Sequence, residues 1–476
     1  MTHDQTLLIR NVAVGGRPGL DVRAGPETIL EVGPSLPRRS GEQVVDGAGG
    51  EVIPGLHDHH VHLRAAVASR QSVDVSAAAN PAEFDAMVLA AAAGASPRTW
   101  LRITGWYEHA AGAIDRHRLD VLTGPVPVRV QHRSGAMWVL NSAALRQADV
   151  DGCDHPGVER DDHGTPTGRL LRLDDWLRGR LATLSGARSA DGFAVGLADY
   201  ADKAARAGIT GFTDATPGRD QADVDEYSTL AEAGVLPQRL LLMAPPGLRR
   251  PGSARVTLGP HKLILDDATL PTTANLAAAI AGAHRLGSPF AIHCVTAEQL
   301  LVSIAAIEEA GPAADRIEHA GIVPPGCAQK LAQLGIAVVT NPGFIADRGH
   351  DYLREVPATE RDWLYPCASL IEAGIAVAAG TDAPFGPADP WHCIAAAMTR
   401  RTAVGTVLGR PERVSGMRAL RLFLADPGDV RQTRAVAPGQ PSDMCILRQP
   451  LRSVLAHPSA EAVLATIVGS QVITRT

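Results

Sequence analysis

Short apolar runs alternate with Ala- and Leu-rich stretches of helical length through most of this chain. Runs of strand character fall at 52–56, 101–104, 127–131, 209–214, 238–243, 262–266, 289–293, 316–319, 336–340 and 375–379. Continuous apolar strands punctuated by helices mark parallel βα units, whose strands are buried on both faces. The last seven runs follow one another at helix-length spacing. With 52–56 they make eight, which predicts an α/β fold: a (β/α)8 TIM-like barrel. The runs at 101–104 and 127–131 then belong to a long insertion after the first barrel strand, where Gly and Pro are dense and helical periodicity is poor. A long excursion from a scaffold is expected to form a lid or pocket wall. Short β segments near both termini, such as Leu7–Val14 and Thr466–Ile473, predict a small β-sandwich built from the two ends. The expected division is 1–52 and 430–476 for the small β domain, 53–70 and 190–429 for the barrel, and 71–189 for an insertion over the active site.

Composition narrows the class. Of 476 residues 45% are apolar and 20% charged, with a net charge of −6, so a sizeable core is expected. No basic run interleaved with aromatics suggests nucleic acid, and no long apolar run or polybasic helix suggests a membrane. The six cysteines are scattered without a CxxC pair, which argues against a zinc knuckle or disulfide framework. The N-terminus lacks the basic start and apolar stretch of a secretory signal, so the cytoplasm is the expected compartment. The expected partner is a small-molecule substrate, with a homo-oligomer an open option.

The chemistry lies at strand ends. His57-Asp58-His59-His60-Val61-His62 closes the first barrel strand. Residues two apart share a face, so His60 and His62 can aim two imidazoles at one metal, while His57 and His59 fall an odd number of residues away. A bare HxH is a weak signal, more often surface or satisfied core histidines than a metal site. His293 follows the apolar Ala291-Ile292, His319 ends Arg316-Ile317-Glu318-His319, and Asp382 follows Gly380-Thr381. Each stands at the C-terminal end of a strand, the rim on which barrel active sites are built. Singly, each could be a buried structural residue; four on the first, fifth, sixth and eighth strands argue for a metal site.

With these residues in place the sequence resembles the amidohydrolase superfamily, and more narrowly its branch of N-acyl amino-acid deacylases and N-substituted formamide deformylases. Further matches are Val45-Asp46-Gly47-Ala48-Gly49-Gly50 before Pro54-Gly55, Gly105-Trp106, Asn141-Ser142-Ala143-Ala144-Leu145, Gly164-Thr165-Pro166-Thr167-Gly168 and Ala437-Pro438-Gly439. The resemblance implies metal ligation by His60, His62, His293, His319 and Asp382. It adds Lys262, four residues before Asp266, as a lysine that becomes carboxylated and bridges two metals in binuclear members. The chain departs from the branch at Arg172, where a glutamate is usual, at Ser134-Gly135-Ala136, where Asp-Gly-His is usual, and at Asp267, where glycine is usual.

The expected function is hydrolysis of a C–N bond (amide, formamide or lactam-type) in a small molecule by metal-activated water. One or two divalent ions, most simply zinc, would lower the pKa of the water. Asp382 would accept its proton and deliver it to the leaving nitrogen. Trp106, His132, Phe344 and Arg348 are the candidate substrate contacts. One alternative is a deaminase of a heterocycle in the same superfamily, which calls for a glutamate soon after the fifth-strand histidine; Glu298, five residues after His293, fits that poorly. A second is a metal-binding barrel without catalytic activity.

Overall fold

The computed structural model describes residues 6–185, 188–468 and 471–474. The chain divides into two compact units: residues up to Leu63 together with those from Ala198, and Arg64–Leu197.

In the first unit, parallel strands form two sheets. One runs Leu56–Val61, Ile209–Asp214, Arg239–Met243, Val256–Gly259 in spatial order; the other runs His261–Ile264, Phe290–Cys294, Arg316–His319, Ala337–Thr340, Val377–Ala379. Helices separate most of these strands in the chain, among them Gln221–Glu232, Thr273–His284 and Ala297–Ala310. The apolar faces of Thr273–His284 and Ala297–Ala310 share one core with the outward side chains Ile292, Ile317 and Val338. The two sheets meet at Pro260, a residue with no N–H to give a ladder. The Val256–Gly259 strand before it pairs with Arg239–Met243, and the His261–Ile264 strand after it pairs with Phe290–Cys294. One strand, expected at 262–266, is therefore two half-strands that start at Val256. At the opposite margin, Asp382 N–H donates to His60 O (2.8 Å) and His62 N–H to Ala383 O (2.9 Å), joining the last strand region to the first.

The expected first barrel strand at 52–56 is corrected in the same way. Glu51–Pro54 pairs with Met444–Leu447 in an eight-stranded sheet made from both ends of the chain, and Leu56–Val61 is a separate strand of the parallel sheet. Gly55 makes the change possible, since a Cβ there would lie 2.1 Å from the Thr210 side chain. An unbroken apolar run hides such a corner.

The second unit contains a six-stranded sheet in the order Val158–Arg160, Pro166–Leu171, Met137–Leu140, Val128–His132, Leu101–Trp106, Val73–Asp74. One face packs on the helices Pro81–Ala93 and Arg116–Thr123 through Phe84, Val88, Ile103, Leu119, Val130 and Val139. The stretch read as poorly periodic is thus an ordered sheet with its own core. Among the described residues no helix is long and apolar enough to cross a membrane.

Candidate metal centre

Parity along the first strand is broken by a register shift. Asp58 lies opposite Phe212, but Val61 lies opposite Asp214, so the Leu56–Val61 strand carries an extra residue over that interval. Such a bulge re-aims side chains. All of His57, His59 and His60 are buried. His57 spends its Nε2 on Thr213 Oγ1 (2.9 Å) and packs against His59. His60 and His62 face Asp382: their Nε2 atoms lie 3.5 and 3.3 Å from Asp382 Oδ1, and one ligand atom from each residue falls within 4.8 Å of the others.

The remaining predicted residues gather from the other sheet. Lys262, Ala291, His293, Arg316 and Glu318 fall on one face by the parallel register. Strand alternation would send His319 to the opposite face with Ile317. Left-handed backbone at His319 (φ 70°) and Ala320 (φ 48°) ends the strand, and the His319 ring stands 4.6 Å from His60 and 4.5 Å from His293. Asp382 is also left-handed (φ 56°). Such conformations cost about 1–3 kcal/mol each and persist where surrounding structure enforces them.

Three imidazoles are held through Nδ1. His60 Nδ1 pairs with Glu318 Oε2, His62 Nδ1 with Thr216 Oγ1 (3.1 Å), and His319 Nδ1 with Asn341 Oδ1 (2.8 Å). Asn341 is itself fixed by donating to Gly380 O (2.9 Å). A carboxylate or amide oxygen at Nδ1 requires N–H there, which leaves Nε2 as a lone-pair donor. Glu318 is in turn paired with Arg316 (2.5 Å), a buried ion pair beneath the imidazoles. Glu318, Thr216 and Asn341 escaped sequence reasoning, although Glu318 adjoins His319 and Thr216 stands two residues past the Ile209–Asp214 strand. Asp58 was missed too: it accepts from Thr381 N–H (2.9 Å) and Thr381 Oγ1 (2.5 Å), anchoring the residue beside Asp382.

The electrostatics suit a cation. Burial holds His60 and His319 well below the usual imidazole range, as neutral donors. Burial works to raise Asp382, but the His62 hydrogen bond, with the neighbouring imidazoles and the Arg348 charge, outweighs it, so its carboxyl is lowered and ionised. Burial pushes the Lys262 amine down to about 8. His60 Nε2 and Lys262 Nζ are buried with no hydrogen bond. Buried polar atoms are normally satisfied, so orphaned nitrogens beside a buried, ionised carboxylate fit a divalent metal.

Of the expected substrate contacts, Phe344 and Arg348 belong to the same unit. The Arg348 guanidinium lies over Phe344 (4.2 Å) and donates to Phe385 O (2.6 Å), and Phe385 packs edge-on to His62 (5.4 Å). Trp106 and His132 belong to the second unit. Trp106 is 0% exposed, with its indole N–H donated to Gly112 O (3.1 Å), so its surface is spent on packing. His132 bridges Ser134 Oγ (2.7 Å) and Glu108 Oε2 (3.0 Å). Glu298 is exposed on its helix.

The chain belongs to the amidohydrolase family, whose model matches residues 43–474. A curated relative, N-substituted formamide deformylase of Arthrobacter pascens, is 26% identical over 90% of this chain and 89% of its own. Among solved structures, an uncharacterised metal-dependent hydrolase of Pyrococcus horikoshii OT3 shares the fold with a TM-score of 0.69 and 19% identity, over 88% of this chain and 92% of that one. N-isopropylammelide isopropylaminohydrolase of Burkholderia multivorans matches at a TM-score of 0.54 and 16% identity, over 99% and 98%.

Proposed function

We propose that this protein hydrolyses a C–N bond of the amide, formamide or lactam type in a small molecule, with a divalent metal, zinc in the simplest case. On this reading the two parallel sheets form one (β/α)8 barrel and the terminal sheet a small β-sandwich. The observation that carries the reading is the convergence of His60, His62 and Asp382, with ligand atoms within 4.8 Å, each histidine held through its other nitrogen. His293 and His319 complete the donor set. Lys262 would join the donor set, as the free amine or, once carbon dioxide has added to it with release of a proton, as a carbamate.

A bound divalent ion lowers the pKa of water and polarises a carbonyl oxygen. Asp382, held ionised, accepts the proton of the attacking water and passes it to the nitrogen as the C–O bond forms and the C–N bond breaks. Phe344 and Phe385 present an apolar wall that restricts water, and Arg348 offers a cation to the substrate.

The test pairs metal analysis with turnover. The metal-loaded chain is assayed on a panel of N-substituted formamides, N-acyl amino acids and lactams, and His60→Ala and His62→Ala are assayed alongside. Hydrolysis by the wild type, with metal and activity lost together in folded variants, is the expected result. Stoichiometric metal in both variants, or no hydrolysis of any C–N substrate, would overturn the reading.

A further inference from the structure

The second unit carries a cluster that the proposed hydrolysis does not use. Arg102 and Arg129 are directly paired residues on the neighbouring strands Leu101–Trp106 and Val128–His132. Trp138 lies opposite Gln131 on the next strand, and alternation places Arg102, Arg129, Gln131 and Trp138 on one face of the sheet. Both guanidinium groups lie over the Trp138 ring, at 5.2 and 5.0 Å.

Their hydrogen bonding is unequal. Arg102 donates to Ser72 Oγ (2.8 Å) and Gln131 Oε1 (2.9 Å). Arg129 has no hydrogen bond or ion pair among the described residues, and its Nε is buried without a partner. The nearby acid is Asp174, which accepts from the Trp138 indole N–H (2.7 Å) and also interacts with Arg172. It makes no salt bridge with either stacked arginine, so positive charge is in excess. Two like charges side by side repel, and the buried Arg129 Nε has lost water without gaining a partner. Burial accordingly pulls Arg129 down to about 9 and Arg102 to about 10. The indole faces repay part of this cost, but ring quadrupoles supply only about 0.5–2 kcal/mol and leave the guanidinium fork unused. A planar fork of N–H donors matches the two oxygens of a carboxylate or phosphate.

We propose that Arg129, with Arg102, Gln131 and Trp138, forms a binding site for a small oxyanion, a carboxylate or a phosphate. The oxyanion accepts from the Arg129 fork, relieves the repulsion between the two arginines, and keeps both over the indole. Arg102, already fixed by Ser72 and Gln131, positions the charge. The inference does not depend on the hydrolytic reading.

The full metal-loaded chain is titrated calorimetrically with inorganic phosphate, N-acetylglycine and N-acetylglycinamide at constant ionic strength set with chloride. Saturable binding of phosphate or N-acetylglycine is expected, with none for the neutral amide. Binding of N-acetylglycine alone identifies the acid group of a larger organic molecule as the source, and binding of phosphate identifies a free anion. Arg129→Gln is expected to raise the Kd at least about tenfold while leaving the melting temperature equal or higher, because it removes an uncompensated charge. Arg129→Lys, which keeps charge but loses the fork, is expected to fall between the two and covers the case in which the glutamine variant does not fold. No saturable binding to the wild type, or unchanged affinity in both variants, would overturn the proposal.

Discussion

Asp382 separates a packing role from a chemical one. Its backbone N–H is tied to His60 O and its Oδ1 faces two imidazoles. Asparagine is nearly isosteric and keeps one acceptor oxygen, but it cannot take a proton. Asp382→Asn is therefore expected to keep the fold and much of the metal while kcat falls by about two to four orders of magnitude. Near-wild-type turnover by the metal-loaded variant would remove Asp382 from the mechanism. Glu318 poses the complementary question, since its carboxylate touches His60 on one side and a buried arginine on the other. Glu318→Gln leaves Arg316 charged and unpaired, a loss of about 3–5 kcal/mol in denaturant unfolding. It also weakens the acceptor at His60 Nδ1, for which about a 10–100-fold loss of metal affinity is expected. Replacing Arg316 and Glu318 together with methionine should recover stability but not metal affinity. Recovery of both would show that the pair serves folding alone.

At the level of strands and turns, close approach explains what composition does not. A Cβ on Gly380 would sit 2.4 Å from His60 N, a backbone atom that cannot swing aside. Gly380→Ala should force apart the strand regions that carry Asp382 and the HxH pair. A destabilisation of about 1–3 kcal/mol is expected, with loss of metal exceeding that in Gly374→Ala, whose Cβ meets nothing within 4 Å but whose positive φ is also strained. Equal metal content in the two would refute the close-contact argument. The same physics marks the boundary of what sequence reveals. Strand ends at Ala291-Ile292-His293 and Ala378-Ala379-Gly380 are legible because buried parallel strands read as continuous apolar runs. The corner at Gly55, the division at Pro260 and the extra residue between Asp58 and Val61 are not, because they depend on which neighbour each strand meets. His60 and His62 were read as one face by simple alternation. His319 reaches the same cluster by a left-handed turn that no periodicity encodes. Partners such as Thr216 and Asn341 are also invisible to a pattern of apolar runs, since they are defined by a hydrogen bond across 154 and 22 residues.

Across the whole molecule, ligands drawn from residues 60 to 382 make metal binding a long-range tie within one of the two compact units. A ligand that binds only the native state stabilises it by mass action, by about 2.7 kcal/mol at a free concentration one hundred times Kd. The stabilisation is felt by the elements that must be in place to hold the ion. On adding zinc to chelator-treated protein, amide hydrogen exchange is expected to slow in Leu56–Val61, His261–Ile264, Phe290–Cys294, Arg316–His319 and Val377–Ala379. The second unit supplies none of the proposed ligands and has its own core around Ile103, Val130 and Val139. Exchange there is expected to change much less. His60→Ala should abolish the slowing in all five strands together, because the ion can protect distant strands only while it bridges them. Protection confined to Leu56–Val61 would mean that the cation sits on the HxH pair alone. Protection that survives in His60→Ala would place the cation elsewhere in the chain.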